Sequence, residues 1–275
     1  MALDTKLIRQ TFQRLDRELA KLAKKPAPQR VHKFRTSSRR VEALLTEVPP
    51  ELHRNDEKVL KLLSRLRKKA GRVRDLDVQI QALRALKLPE ANGHKSQLMD
   101  ALIGERSKRE RKLAKTFDVE TVAEVRKRLK RAEHDLELSP KTDPLALALR
   151  KLSELNGGAP VTEKLLHQYR IVGKRARYIA ELAGDDPETK SAVQRLKQMQ
   201  DVIGDWHDWL KLTERAEELL GNSRSSALVA MLRNVTQAKF RQSVELVPTV
   251  RFEFTERKPS VRTDQEKVKA VASAA

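Results

Sequence analysis

The chain repeats itself once, and the two copies keep a fixed spacing. Residues 31–45 read VHKFRTSSRRVEALL and residues 166–180 read LHQYRIVGKRARYIA. His32 aligns with His167, Phe34 with Tyr169, Arg35 with Arg170, Arg39 with Lys174 and Arg40 with Arg175. Further on, Gly71-Arg-Val-Arg-Asp75 aligns with Gly204-Asp-Trp-His-Asp208. The offset is 135 residues at the first motif and 133 at the second. A drift this small over so long a span points to duplication of a four-helix unit. Any fold for this chain must place two similar halves that carry the same motifs.

The elements of each half read as helices. Leu, Ala, Lys, Arg, Glu and Gln dominate, and β-branched alternation is scarce. Pro26, Pro28, Pro49, Pro50, Pro89, Pro140, Pro144, Pro160 and Pro187 fall between periodic stretches, where a missing N–H costs least. The chain is therefore expected to be all-α, with helices over 3–24, 28–47, 55–86, 94–116, 119–137, 143–155, 161–183, 188–220 and 224–246. Asp143-Pro144 and Asp186-Pro187 read as an N-cap followed by Pro at the first helical position. Short connections make neighbouring helices antiparallel. The first bundle is expected over 3–137 and the second over 143–250, with Asn156-Gly157-Gly158-Ala159-Pro160 as a linker within the second. Periodicity fades near residue 250, and 251–275 reads as a disordered basic tail.

Helical geometry sorts the repeated motif into two faces. With Val31 at zero, Phe34, Val41, Leu45 and Val48 fall at roughly 260–320°, an apolar stripe. Arg35, Arg39 and His32 fall at roughly 40–100°, nearly opposite. The second copy sorts in the same way, with Arg170, Lys174, Arg177 and His167 on one stripe. Like charges at i, i+3 and i+4 repel, and no Glu interleaves them in either copy. A bound polyanion would reverse that penalty, and Arg presents a planar fork suited to phosphate oxygens. Arg65, Lys68 and Arg72 on the helix 55–86 extend the cationic spacing. His32 and His167 are expected to be neutral beside arginine, since a nearby like charge lowers the imidazole pKa. Neither has a second ligand at i+3 or i+4, so no metal is expected.

Composition narrows the partner. The chain has 58 Lys+Arg against 38 Asp+Glu, a formal net charge of +20. The excess is concentrated in residues 1–150, which hold 37 basic and 21 acidic residues. Such a balance favours nucleic acid, an anionic membrane or a phosphate polymer. Only 10 aromatic residues are present, whereas single-strand binders interleave stacking rings with charge. The faces opposite the charge carry few rings, Phe34 in the first copy and Tyr169 in the second, which argues against a membrane. Absence of Cys excludes disulfides and thiolate metal sites. The N-terminal residues show no apolar core of a signal peptide, so a cytoplasmic location is expected. Phosphate-loop, zinc-protease and nucleophile-elbow motifs are absent, and Asp75 and Asp77 are too close in sequence to share a helix face for Mg²⁺. The expectation is a binding protein without a cofactor, not an enzyme.

The patterns V-H-x-x-R-x-x-x-R-R at 31–40, L-H-x-x-R-x-x-x-K-R at 166–175 and Gly-Arg-Val-Arg-Asp-Leu-Asp-Val at 71–78 resemble the CHAD family, the conserved histidine α-helical domain. The resemblance spans about residues 3–250. It implies two four-helix bundles related by a pseudo-twofold axis, with basic residues gathered on a central surface or pore. It implies binding of inorganic polyphosphate, often with targeting to polyphosphate granules. On the matched positions, His32, Arg35, Arg39 and Arg40 are the implied contacts from the first half. His167, Arg170, Lys174, Arg175 and Arg177 are those from the second. The second copy departs from the pattern, since Arg65, Lys68 and Arg72 align with Gln198, Asp201 and Asp205. The site is therefore expected to be asymmetric and weighted toward the first bundle. Asp75 and Asp208 read as structural carboxylates that orient a neighbouring cation. Nucleic acid is the rival partner, with weak duplex binding on the outer Lys/Arg face as a side activity. Granule proteins are a third class of partner, for which Trp206 and Trp209 offer a surface if exposed and a core if not.

Overall fold

The computed structural model of the chain describes residues 3–87, 93–139, 142–155, 160–184, 187–221 and 226–255, with side chains through 247. Nine helices run through these residues: α1 (Thr5–Lys24), α2 (Pro28–Glu47), α3 (Arg54–Ala85), α4 (His94–Thr116), α5 (Val119–His134), α6 (Pro144–Ser153), α7 (Glu163–Ala180), α8 (Pro187–Leu220) and α9 (Ala227–Thr255). No strand occurs among the described residues.

Caps set most of the starts. The Asp4 carboxylate accepts from the amides of Lys6 and Leu7 and opens α1. Asp118 and Thr162 do the same for α5 and α7. Asp143 caps α6, with Pro144 at the first helical position as its sequence signal implied. α8 begins at Pro187, while its expected cap Asp186 and the linker residues 156–159 lie outside the described residues. α9 runs on to Thr255, past the expected end at 246 and into the segment read as tail. Residues 256–275 of that tail lie outside the described residues.

Three apolar clusters hold these helices. The first joins α1, α2, α3 and α5 with the end of α4, through Phe12, Leu15, Phe34, Leu44, Leu63 and Leu129. Phe34 meets Phe117 edge to face at 5.2 Å between ring centroids. The second joins α6 to α9 through Leu145, Leu166, Tyr169, Leu196, Met199 and Trp206. The third lies between the halves. There Leu76, Ile80, Leu83, Leu98 and Leu102 of α3 and α4 meet Leu212, Ala216, Leu228 and Leu232 of α8 and α9. This third cluster explains why α3 and α8 are 32 and 34 residues long. Each buries one end in its own half and the other end in the shared cluster.

Like packs on like across the middle: α2 on α7 and α3 on α8. The Nε of Arg40 donates to Glu181 at 2.8 Å, and an Nη of Arg175 donates to Glu47 at 3.0 Å. Arg40 and Arg175 are aligned positions, so each helix clasps the end of its counterpart. The first half adds α5, which packs on α1 and α3; in the second half α9 packs on α6.

A candidate polyanion-binding cleft

α2 and α7 bury their apolar stripes in opposite cores, which turns their cationic stripes toward each other. Phe34, Val41, Leu45 and Val48 are buried on one side, Tyr169 and Ala176 on the other. His32, Arg35, Arg39 and Arg40 from α2 and Arg170, Lys174 and Arg177 from α7 then line one cavity of about 860 Å³. α3 contributes Arg74 and Asp75 to it, and α8 contributes Lys197, Asp201, Asp205 and Asp208.

The cavity continues in both directions. A neighbour of about 520 Å³ shares Arg35, Arg39, Asp75, Arg170 and Asp208 with it and adds Arg72, Arg109, His207, Lys211 and Arg215. Another of about 540 Å³ shares Arg14, Arg40 and Tyr178 and lies between α1 and α7. One basic tract therefore runs between the two halves. Arg39, Arg74, Arg170 and Lys174 have no carboxylate within 4 Å among the described residues. The Nε of Arg170 is buried without a hydrogen-bond acceptor. Such unneutralised, partly desolvated cations are costly in the empty protein.

Arg35 is the best-anchored of the group. Its Nη1 donates to the Arg67 carbonyl at 3.2 Å, and its Nη2 is 3.8 Å from Asp75. Its Nη1 lies against Gly71, where a Cβ would stand 2.2 Å from it. That contact is the reason for glycine in the middle of α3. The aligned Gly204 has open space around the same position, so the cradle exists in the first half alone. Asp77, two residues beyond Asp75, points away from the tract to Arg106 of α4 at 2.6 Å.

Crowding shifts the titrations. Burial lowers the pKa of Arg35 to about 10, with Asp75 opposing and Arg39 adding to the shift. Burial also lowers Arg39, assisted by Arg67. Lys174 falls to about 7 through burial first, then Arg170 and Arg39. His207 falls to about 3, again through burial, then Arg170 and His167. His32 is lowered by lost hydration more than by Arg74 and Arg35, so neighbouring charge is the second cause where it was expected to be the first. The Asp208 carboxyl is raised by burial, against the pull of Arg170 and Lys174.

Four expected contacts lie elsewhere or at the edge. Arg65 and Lys68 stand about 10–15 Å before Asp75 along α3, at 1.5 Å per residue. α5 lies alongside there, and the two line an outer groove with Lys58, Lys61 and Arg128. Arg175 is spent on Glu47, which Lys151 also holds at 2.8 Å. His167 is exposed and reaches the tract only through His207, 5.5 Å away between ring centroids. Trp206 is buried in the second core and Trp209, half-buried, packs on the shared one.

Compared with protein families, the chain matches the CHAD domain over residues 6–217. The chain belongs to the CHAD family. Among solved structures it is similar to PptA from Streptomyces chartreusis, at a TM-score of 0.63 and 14% identity, covering 90% of this chain and 96% of that one. It is similar also to the CHAD domain from the plant Ricinus communis, at a TM-score of 0.61 and 16% identity, covering 94% and 95%. Likeness at these identities is likeness of fold. No curated protein matches the chain. Among the described residues, no helix of this CHAD protein is long and apolar enough to cross a membrane.

The CHAD cleft also contains cations that sequence reasoning passed over. Arg74 stood inside the quoted motif, and its aligned partner His207 inside the second copy. Alignment of the two Gly-x-x-x-Asp motifs was the signal that should have paired them. Arg14 and Arg109 come from helices outside the repeat motifs and carried no such signal, and Arg215 lies on α8 beyond its Gly204–Asp208 motif.

Proposed function

We propose that this CHAD protein binds inorganic polyphosphate along the tract between its halves, as a binding protein and not an enzyme. The observation that carries the reading is the set of Arg39, Arg74, Arg170 and Lys174, unneutralised and converging from α2, α3 and α7 on one cavity. Phosphate oxygens would supply the acceptors that these groups lack. The tract suits a thin flexible chain with one charge per unit. A rigid duplex, far wider than a single phosphate chain, fits a cleft lined from both sides less well. Family membership supports the same ligand. Association with polyphosphate granules in the cytoplasm follows as the cellular setting of such binding, with granule proteins as further partners.

The deciding experiment is a competition titration. Labelled long-chain polyphosphate is bound at moderate salt and competed with single-stranded DNA, duplex DNA and orthophosphate at matched phosphate concentration. Polyphosphate should win over either DNA by more than about tenfold, or 1.4 kcal/mol. Equal competition by DNA would replace this reading with general polyanion binding. A hydrolysis or phosphoryl-transfer product accumulating in the same tubes would overturn the non-enzymatic reading.

A further inference from the structure

Four lysines line the central tract, and one of them stands without a carboxylate. The Nζ of Lys239 is 2.7 Å from Asp205, that of Lys211 is 2.6 Å from Glu214 and that of Lys197 is 3.9 Å from Asp201. Lys174 has no carboxylate within 4 Å among the described residues. Its neighbours are Arg35 and Arg39 on α2 and Arg170 one turn earlier on α7, with Asp208 on α8 the nearest charge of opposite sign to act on it. Arginine keeps its proton at neutral pH. Burial first, and then the repulsion from Arg170 and Arg39, therefore act on the one amine of the cluster, which titrates near 7. A neutral amine is a nucleophile, and this one lines a cavity of about 860 Å³.

We propose that Lys174 is an acylation site for small acyl phosphates, and that its acylation weakens the hold of the cleft on phosphate polymers. The proposal rests on the reading of the cleft as a phosphate site. Arg35, Arg39 and Arg170 hold the phosphate of the acyl phosphate. The lone pair of the Lys174 Nζ attacks the carbonyl carbon, forming a C–N bond. The C–O bond to phosphate breaks, and inorganic phosphate leaves with its electron pair. The surplus proton on nitrogen passes to that phosphate or to water. The product is a neutral amide, so the cluster loses one cation for good. The aligned position in the first half is Arg39, which has no amine of this kind, so one of the two matched positions carries the switch.

The full chain is incubated with acetyl phosphate at pH 7.5, with and without long-chain polyphosphate, and acetylation of each lysine is followed by peptide mass spectrometry. Affinity for labelled polyphosphate is measured in parallel. Lys174 should be acetylated about tenfold or more faster than exposed Lys58 and Lys112, and polyphosphate should slow it. The gap should narrow toward pH 10, where ordinary lysines also lose their protons. Treated wild type should lose about fivefold or more in affinity, while Lys174→Arg under the same treatment keeps its own. Normal polyphosphate binding with Lys174 acetylated no faster than Lys58 and Lys112 overturns the acylation site and leaves the cleft reading standing. An equal loss of affinity in treated wild type and Lys174→Arg overturns the regulatory half. Absence of saturable polyphosphate binding at the outset overturns the cleft reading and this proposal with it.

Discussion

At the scale of single residues, Gly71 and Lys174 make opposite kinds of sense. Gly71 sits in a helix interior, where alanine would be more favourable by about 1 kcal/mol. It is kept small by the Arg35 guanidinium lying on it. Gly71→Ala should therefore fold as well as wild type or slightly better, because the clash falls on the movable end of a side chain. Arg35 should swing off the Arg67 carbonyl, and polyphosphate affinity should fall several-fold. Melting temperature and affinity measured on the same sample check this; a parallel loss of both would mean that the cradle is structural. Lys174 predicts a pH dependence. Its pKa is about 7 in the folded chain and near 10.5 unfolded, so the unfolded state binds more protons between those values. The ligand-free protein should then gain stability from this group as pH rises from 7 toward 10. Lys174→Met should lack that component, so the difference in melting temperature between the two proteins should shrink as pH rises. Polyphosphate favours the charged amine, so affinity should fall with rising pH over the same window.

At the scale of helices, the ion pairs decide which cations are free to bind. Arg40 and Arg175 occupy aligned positions and each clasps a glutamate of the other half, yet only Arg40 also borders the cavity. Arg175→Ala should change polyphosphate affinity less than about twofold and cost no more than about 1 kcal/mol, since its side chain is 45% exposed. Arg39→Ala should cost binding about tenfold with little loss of fold. Charge reversal at Arg35 and Arg39 together should weaken binding more than at Arg170 and Lys174. Asp208 of α8 already acts on both Arg170 and Lys174, whereas Asp75 of α3 acts on Arg35, and Lys174 is partly neutral at the start. Isothermal titration of the four variants would check the order, and equal losses would remove the asymmetry. These helices also show what was legible in the sequence. The 3.6-residue period separated the buried Phe34, Val41 and Leu45 from Arg35 and Arg39, because burial and charge divide along a helix face. It could not tell that Arg175 would be consumed by Glu47, or that Arg65 would face α5. Those outcomes depend on which helix lies alongside, and a local period does not contain that. Arg14 entered the tract for the same reason, from a helix with no repeat motif at all.

At the scale of the whole molecule, the shared apolar cluster makes the two halves one folding unit. Leu76, Ile80, Leu83, Leu98 and Leu102 from the first half are 0–6% exposed there, with Leu212, Ala216, Leu228 and Leu232 of the second half across from them. Burying such a side chain is worth about 2 kcal/mol. If separation exposed only half of that contribution from these five, the loss would be about 5 kcal/mol, as large as the whole stability of many domains. A duplicated chain with two private cores would unfold in two steps, and either half would survive alone. This chain should instead unfold in urea as one transition, with far-UV circular dichroism and the fluorescence of Trp206 and Trp209 superimposing. Residues 1–139 expressed alone should be aggregated or only partly helical, since the fragment would present the α3 and α4 ends of that cluster to water. A soluble monomeric fragment with a cooperative transition of its own would show that the shared cluster is an adhesive contact between independent domains. The outcome bears on binding as well. The cations of the tract come from both halves, so repulsion across the cleft works against their association while the shared cluster favours it. Polyphosphate should therefore raise the melting temperature of the full chain, by an amount that shrinks with added salt because releasing counterions into a saltier bulk gains less entropy.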